Sequence, residues 1–247
     1  MSEFFNKRTL NPRLVHLLRP HSGDAQRYQR LRLAVENIPR KTGGVVVAIA
    51  SPSSGEGKTL TAINLAGALA QNPASKVMLI ELDLRSTQGT LKDYLGARKW
   101  SPRGVVDGVV EGLGDSIADV DAEGAASSAQ IDWQQIAHSV PEFNLTLIPS
   151  GQKTESPYEV LNSPQLERLI NQARLRFDYI ILDTAPVTLY PDTQLISRWV
   201  DQFIVLVTAG MTSRKELAAC LDLMVPEKVL GLVFNECQHA DGERHGY

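Results

Sequence analysis

One stretch of the chain, residues 45–70, constrains the fold more than any other and reads VVVAIASPSSGEGKTLTAINLAGALA. It begins with β-branched and apolar residues, passes through a turn rich in serine and glycine, and continues with alanine and leucine at helical spacing. This order predicts a strand, a phosphate-binding loop and a helix. The usual loop pattern begins with glycine, whereas Pro52 stands there, and the alternative is a glycine-rich turn before a core helix.

The chemistry of that loop suits a polyphosphate. Small residues let several backbone N–H groups converge on phosphate oxygens, and the helix that follows adds the positive end of its dipole. Lys58 is expected to reach the β- and γ-phosphates, and the Thr59 hydroxyl is expected to bind Mg²⁺. The predicted nucleotide-binding residues of this segment are Ser54, Gly55, Glu56, Gly57, Lys58, Thr59 and Leu60.

Two acids lie at the carboxyl end of the second predicted strand, residues 76–82, which runs into the sequence ELDLR. Alternation along an extended segment places Glu81, Asp83 and Arg85 on the same side. The carboxyl ends of parallel strands form the edge at which ligands bind in open α/β sheets, so these acids are expected beside the phosphate loop. The simpler interpretation is a pair of charges that ends a strand.

A further acid lies in the segment 177–186, which reads FDYIILDTAP. Four apolar residues followed by an aspartate are typical of a Walker B strand, which would deliver Asp183 to the nucleotide. Asn235 follows the last predicted strand, residues 229–234, and its amide can both donate to and accept from an adenine edge. A turn asparagine is an equally good interpretation of Asn235.

Strands that alternate with helices along the chain predict an α/β fold, a P-loop NTPase with a mostly parallel central sheet and helices on both faces. We predict a partly ordered N-terminal arm over residues 1–23, a P-loop nucleotide-binding domain over residues 24–238, and a flexible tail over residues 239–247. The stretch 115–130 is rich in glycine, alanine, serine and aspartate and is expected to be a surface loop.

Composition limits the partners and the compartment. A chain of 247 residues can bury one large α/β core, and its formal charge of −3 gives no sign of a nucleic-acid partner. Cys220 and Cys237 show no metal-ligand spacing and are expected to be reduced thiols of a cytosolic protein. No apolar run of the sequence approaches the roughly 18 residues that span a bilayer, so a membrane role would need a partner.

Six segments together resemble the bacterial tyrosine kinases of capsule and exopolysaccharide synthesis, the CpsD/CapB group, which is related to Min/Par-type ATPases. These segments are SPSSGEGKT at 51–59, VMLIELDLR at 77–85, SPYEVLNSPQLERLI at 156–170, FDYIILDTAPV at 177–187, TAGMTSRKEL at 208–217 and VLGLVFN at 229–235. The segment 156–170 is the more discriminating one, because Min/Par ATPases share the phosphate loop but lack that segment. Ser53 also stands where those ATPases carry a signature lysine.

This resemblance implies an ATP-dependent protein-tyrosine autokinase that uses Mg²⁺. Lys58 would stabilise the transferring charge, and Asn235 would be part of the nucleotide site. The first acid of the family's D-x-D motif, here Glu81, would take the proton of the tyrosine. The implied metal-binding residues are Thr59, Asp83 and Asp183.

The resemblance also implies an assembly. Family members phosphorylate tyrosines of a C-terminal tail, in trans within a ring of subunits, and Tyr247 is the expected phosphoacceptor of this chain. The expected partner is the cytosolic segment of a membrane polysaccharide co-polymerase of the Wzz-like kind. The protein would then be cytoplasmic, recruited to the inner face of the cell membrane, and would regulate polymerisation and export of an exopolysaccharide or capsule.

Three features depart from the family pattern. Glu81 replaces an aspartate, and its extra methylene displaces the carboxylate. The tail has one tyrosine, Tyr247, instead of a cluster. The ring-forming pattern E-x-x-R-x-x-R fits two frames, which are Gln26, Gln29 and Arg32, or Asp24, Arg27 and Arg30. Two alternatives to a kinase follow: an ATP-binding regulatory subunit of the same assembly that phosphorylates nothing, and a Min/Par-like ATPase, against which the missing lysine argues.

Overall fold

The computed structural model describes residues 9–40, 43–97, 100–118 and 133–237 of the chain. The strands are β1 Val45–Ala50, β2 Val77–Glu81, β3 His138–Val140, β4 Leu145–Ile148, β5 Tyr179–Asp183, β6 Gln202–Thr208 and β7 Val229–Asn235. They form a seven-stranded sheet in the order β3-β4-β2-β5-β1-β6-β7. All neighbouring strands in it are parallel except β3 and β4. The predicted mostly parallel sheet is therefore confirmed.

Helices cover both faces of this sheet, as predicted. They are α1 Val15–Leu18, α2 Gly23–Glu36, α3 Lys58–Ala70, α4 Leu91–Leu95, α5 Val105–Ala118, α6 Pro157–Leu161, α7 Pro164–Arg176, α8 Asp192–Ile196 and α9 Arg214–Asp222. Alternate residues of β1 enter two separate hydrophobic cores. Val47 and Ile49 pack with α2 and α3, whereas Val46 and Ala48 pack with α7 and α9. Because β1 is buried on both faces, its sequence is apolar throughout.

The strand register brings the predicted site residues to one edge of the sheet. Asp183, the last residue of β5, is paired with Ile49 of β1 on one side and with Glu81 of β2 on the other. The phosphate loop follows β1 directly and leads into α3. Because the carboxyl ends of parallel strands meet at the same edge, the loop and both acids lie together, as the sequence predicts.

Residues 9–22 fall within the predicted N-terminal arm, yet they pack against α3. The buried leucines of this segment are Leu10, Leu14 and Leu17. The Asn64 side chain of α3 accepts a hydrogen bond from the His16 N–H and donates one to the Arg13 carbonyl, both at 3.1 Å. The packed domain therefore includes residues 9–22, and its edge does not coincide with residue 24.

Two predicted segments lie largely outside the described residues. Of the predicted surface loop 115–130, residues 115–118 form the end of α5 and the others are not among the described residues. The tail 239–247, with Tyr247, also lies outside them. Within the ranges that the structure describes, no helix combines the length and the apolar character needed to cross a bilayer.

Candidate functional site

A cavity of about 1120 Å³ opens beside the phosphate loop at the carboxyl edge of the sheet. The predicted site residues that line it are Ser54, Gly55, Gly57, Lys58, Thr59, Leu60, Asp83 and Asn235. Ordinary ligand pockets span about 300–1,000 Å³, so this cavity has room for a nucleotide and for part of a second ligand. Glu56, Glu81 and Asp183 are buried and are not among the described residues that line it.

Two glycines give the phosphate loop its shape. Gly55 and Gly57 have φ angles of +79° and +90°, a region that residues with a side chain rarely adopt. A Cβ atom at Gly57 would also lie 2.5 Å from Nδ2 of Asn235. Gly57 directly precedes α3, whose first backbone N–H groups have no partner within the helix. Those N–H groups, at residues that line the cavity, form an anion-binding helix terminus.

Lys58 is folded back onto its own loop. Its ammonium donates hydrogen bonds to the Ser51 hydroxyl at 3.1 Å and to the Ser53 carbonyl at 3.4 Å. Burial lowers the pKa of Lys58, while the negative charges of Asp183 and Asp83 act in the opposite direction. A largely buried ammonium with two neutral partners is suited to accept a stronger anionic partner, such as a phosphate.

Asp183 is a fully buried carboxylate at the end of β5. Among the described residues, no group donates a well-formed hydrogen bond to either of its oxygens. The Thr59 hydroxyl is nevertheless close enough to lower the pKa of this carboxyl group. Burial raises the pKa of Asp183 to about 8, and nearby Glu81 and Asp83 add to this against the opposing effects of Thr59 and Lys58. A buried carboxylate that accepts no well-formed hydrogen bond is suited to bind a cation.

These oxygen atoms fit Mg²⁺. The part of the chain that the structure describes contains no group of three His, Cys, Asp or Glu residues able to enclose a metal ion. Mg²⁺ at nucleotide sites needs no such group, because it binds one or two protein oxygens and completes its shell with phosphate oxygens and water. Thr59 and Asp183 supply that kind of partial shell.

Asp83 lines the cavity and is held by its own loop. Its Oδ1 accepts hydrogen bonds from the backbone N–H groups of Arg85 and Ser86, and its Oδ2 accepts one from the Ser86 hydroxyl. The Arg85 guanidinium donates to both oxygens of buried Asp192, at 2.8 and 2.9 Å, and lies over the Tyr190 ring. The bidentate pair fixes the segment that follows β2, and with it the position of the Asp83 carboxylate.

Glu81 has a different environment. Its two carboxylate oxygens accept hydrogen bonds from the Leu91 N–H at the start of α4, at 2.8 Å, and from the Ser150 N–H, at 2.9 Å. Burial raises the pKa of Glu81, against the effect of these two hydrogen bonds. The structure therefore brings Lys58, Thr59 and Asp83 to the cavity and holds Glu81 between two backbone segments.

Glu56 connects the phosphate loop to two other elements through contacts that the sequence did not predict. Its carboxylate accepts hydrogen bonds from the Ser53 N–H, at 3.1 Å, and from the Thr212 hydroxyl. Its carbonyl accepts from the Asn235 amide at 2.9 Å and from the Thr208 hydroxyl at 3.3 Å. One N–H of Asn235 is thus engaged with the loop, and its contact with adenine stays a prediction.

The two frames of the predicted ring-forming helix face different surroundings. In α2, Arg32 donates to Glu36 at 2.8 Å and to the Ala68 carbonyl at 3.1 Å, and Gln29 is hydrogen-bonded to Gln71. The residues of the other frame, Asp24, Arg27 and Arg30, are exposed and line the cavity. Only the second frame therefore presents its three side chains to solvent.

The fold and the loop together define a P-loop nucleotide-binding domain, and comparison with known proteins agrees. A protein-family model described as an AAA domain matches residues 44–224. The tyrosine-protein kinase CpsD of Streptococcus agalactiae serotype III (strain NEM316) is 30% identical over 195 residues, which cover 77% of this chain and 74% of that protein. The chain belongs to the family of bacterial tyrosine-protein kinases built on this domain, and the resemblance inferred from its motifs is confirmed.

Two further comparisons cover more of the chain. The tyrosine-protein kinase YwqD of Bacillus subtilis (strain 168) is 24% identical over 242 residues, or 95% of this chain and 90% of that protein. The kinase domain of the Escherichia coli tyrosine kinase ETK has a TM-score of 0.74 at 20% sequence identity, and the match covers 100% of this chain and 91% of that domain. At this identity the structural likeness shows the fold.

Proposed function

We propose that this chain is an ATP-dependent protein-tyrosine autokinase that phosphorylates Tyr247 in the C-terminal tail of another copy of the same protein. The observation that carries the proposal is the cavity in which Lys58, Thr59 and Asp83 meet, next to the buried carboxylate of Asp183. That set combines a cation for the phosphates with oxygen ligands for Mg²⁺, which is what phosphoryl transfer requires of a protein.

In this proposal the residues act mainly by position and charge. The N–H groups of the loop and of the first turn of α3 bind the phosphates, and Lys58 leaves Ser51 and Ser53 to contact the oxygens of the transferred group. Bound Mg²⁺ would neutralise charge that develops on the phosphates. Thr59, Asp183 and Asp83 would supply the oxygens that hold that ion. Asn235 stays the proposed contact of the adenine.

The proposed reaction moves one phosphoryl group. The tyrosine oxygen forms a bond to the γ-phosphorus, the bond from that phosphorus to the β–γ bridging oxygen breaks, and ADP leaves. The phenolic proton passes to a carboxylate. The family resemblance assigns this proton to Glu81, which is buried and is not among the described residues that line the cavity, so its carboxylate would have to move to reach the tyrosine. Asp83 already faces the cavity and is the alternative acceptor.

A pair of substitutions separates these two carboxylates. We expect Asp83→Asn to lower kcat about 100-fold at saturating Mg²⁺ and ATP, because it removes the carboxylate that faces the cavity. Glu81→Gln should mainly lower the melting temperature, because an amide nitrogen cannot accept a hydrogen bond from Leu91 or Ser150. The measurements are initial rates and thermal unfolding. A larger loss of kcat in Glu81→Gln, at unchanged melting temperature, would assign the proton to Glu81.

The proposal includes an assembly at the membrane. We propose that the protein is cytoplasmic, that it is recruited to the inner face of the membrane by the cytosolic segment of a polysaccharide co-polymerase, and that it regulates exopolysaccharide or capsule polymerisation and export. A ring of copies would use the exposed frame of α2, namely Asp24, Arg27 and Arg30. The support for this choice is exposure: the three residues of this frame are all exposed, whereas Gln29 and Arg32 of the other frame are half-buried.

The second candidate function is an ATP-binding regulatory subunit of the same assembly. It is favoured by one observation, that both oxygens of Glu81 are engaged with backbone N–H groups. In that case nucleotide binding would change assembly on the membrane partner without phosphorylation of tyrosine. A Min/Par-like ATPase has less support, because Ser53 stands at the position of the signature lysine.

Intact-mass analysis after incubation with Mg²⁺ and ATP tests the kinase directly. We expect one phosphate, mapped to Tyr247, and none on the Tyr247→Phe variant under the same conditions. The reaction is run with and without the cytosolic segment of the co-polymerase, since that segment is the proposed activator. An unmodified mass in both, together with measurable ATP binding, would contradict the kinase and leave the regulatory subunit.

A further inference from the structure

The N-terminal segment places one arginine beside the phosphate loop. The backbone N–H of Arg13 donates to Asn11 Oδ1 at 2.9 Å, and its carbonyl accepts from Asn64 Nδ2 at 3.1 Å. Asn64 is fully buried on α3, the helix that begins with Lys58, and Leu14 beside Arg13 is fully buried as well. The position of Arg13 relative to the start of α3 is therefore set by the hydrophobic core.

The side chain of Arg13 lies outside that core. It lines the cavity together with Gly57, Lys58 and Thr59. Its Nη1 is 3.5 Å from Oε1 of Glu236, and the two side chains are 69% and 57% exposed. An ion pair of this length and exposure is weak in water, so a multiply charged anion in the cavity can replace Glu236 as the partner of the guanidinium.

Glu236, near the C-terminal end of the described residues, is linked to the phosphate loop through its neighbour in the sequence. It follows Asn235, whose amide donates to the carbonyl of Glu56 at 2.9 Å. The φ angle of Glu236 is +53°, in the left-handed region that residues other than glycine rarely adopt. Backbone conformations of this kind are concentrated at ligand-binding sites. The pair therefore joins the N-terminal segment to the end of β7 through two residues that both line the cavity.

Arg13 and the predicted metal ligand Asp183 both act electrostatically on Tyr94. Burial raises the pKa of the Tyr94 phenol, which the positive charge of Arg13 lowers and the negative charge of Asp183 raises. Tyr94 lines the same cavity, and its backbone carbonyl accepts a hydrogen bond from the Asn11 N–H at 2.8 Å. The charges of Arg13 and Asp183 thus act on one side chain of the cavity wall.

We infer that Arg13 is a second cation for the phosphates of ATP, which replace Glu236 as the partner of its guanidinium. This inference rests on the proposed binding of ATP by the phosphate loop. A guanidinium contacts two phosphate oxygens at once, which the ammonium of Lys58 cannot do with the same geometry. ATP would be held from the loop by Lys58 and from the N-terminal segment by Arg13, and its binding would break the pair with Glu236.

Calorimetric titration with ATP in the presence of Mg²⁺ tests this contact. We expect Arg13→Gln to weaken ATP binding about tenfold or more, with a smaller loss for Arg13→Lys, which keeps the charge without the planar fork. Glu236→Gln should leave the affinity unchanged or raise it, because it removes the competing anion. Thermal unfolding checks that each variant is folded. We expect all of them to fold, because the side chains of Arg13 and Glu236 are exposed.

Arg19→Gln is the matched control, because Arg19 is an exposed arginine of the same segment that lines the same cavity. Equal weakening by Arg13→Gln and Arg19→Gln would show that only the general positive charge of this wall matters, and would overturn the inference. Equal weakening by Arg13→Gln and Glu236→Gln would also overturn it, since the pair would then be structural. If the natural chain binds no ATP, the proposed function fails; if it binds ATP and Arg13→Gln binds equally well, only this inference fails.

Discussion

Replacing Lys58 with methionine should lower the rate of ATP-dependent phosphorylation of Tyr247 by about 1000-fold. The ammonium is the buried cation of the phosphate loop, and its two hydrogen-bond partners are neutral oxygens of Ser51 and Ser53. In the Lys58→Met variant, the negative charge that develops on the phosphates during transfer would no longer be neutralised by the Lys58 ammonium. Methionine has nearly the same length and no charge, so it fills the same space.

The folded state should tolerate this change. Burial lowers the pKa of Lys58, which means that the charged ammonium is less favourable in the folded protein than in water. The Lys58→Met variant is therefore expected to melt at the same temperature as the natural chain or above it. A loss of phosphorylation can then be assigned to chemistry and not to unfolding.

Lys215→Met is the matched control for this experiment, because Lys215 is an exposed lysine of α9 and is not among the described residues that line the cavity. Initial rates from intact-mass analysis at saturating ATP, together with ATP affinities, give the comparison. Retention of phosphorylation within about tenfold by Lys58→Met would remove Lys58 from the proposed reaction.

The sequence predicted those parts of the site whose residues lie within one short motif at the end of a strand. The phosphate loop, the acids at the end of β2 and the aspartate at the end of β5 each lie where an apolar strand ends, and parallel strands bring their carboxyl ends to one edge. Within one such segment, alternation grouped Glu81 with Asp83. It could not show that Glu81 is engaged by Leu91 and Ser150, because these partners are set by tertiary packing.

Other features of the site also depend on distant partners. Glu56 is read from the sequence as one more loop residue, but its carboxylate accepts from Thr212, which is 156 positions away. The segment 9–22 contains only a four-residue helix, α1, and such a short helix gives no clear periodic pattern. Its burial results from the fit of three leucines against α3. The sequence signal for Glu56 was its place between the two glycines of GEGKT.

Replacing Asp183 with asparagine should stabilise the metal-free fold and at the same time reduce its stabilisation by Mg²⁺ and ATP. The pKa of this buried carboxyl is raised from 3.8 to about 8, so between these values the folded chain holds a proton that the unfolded chain has released. Stability from this group is fully present below about pH 4 and is lost as the pH rises through about 8. At pH 8.5 the asparagine variant should therefore be more stable, by about 2 kcal/mol, or about 5 °C in melting temperature.

Thermal unfolding from pH 5 to pH 9, with and without Mg²⁺ and ATP, measures both effects. Asp178→Asn is the control with the opposite sign. Burial raises the pKa of Asp178, but hydrogen bonds from the Lys76 N–H and from Arg40 outweigh this and the net shift is downward. Stability from Asp178 is present above its unfolded pKa and is lost as the pH falls, so its substitution should destabilise the protein at pH 8.5.

The two carboxylates therefore separate a ligand site from a structural ion pair. An acid that lowers stability in the metal-free fold is retained in a protein when it gains a partner during function, and Mg²⁺ with ATP is that partner in the proposed reaction. With both present, the natural chain should rise in melting temperature by more than the Asp183→Asn variant does. Equal stabilisation of the two chains by Mg²⁺ and ATP would contradict the assignment of Asp183 as a metal ligand.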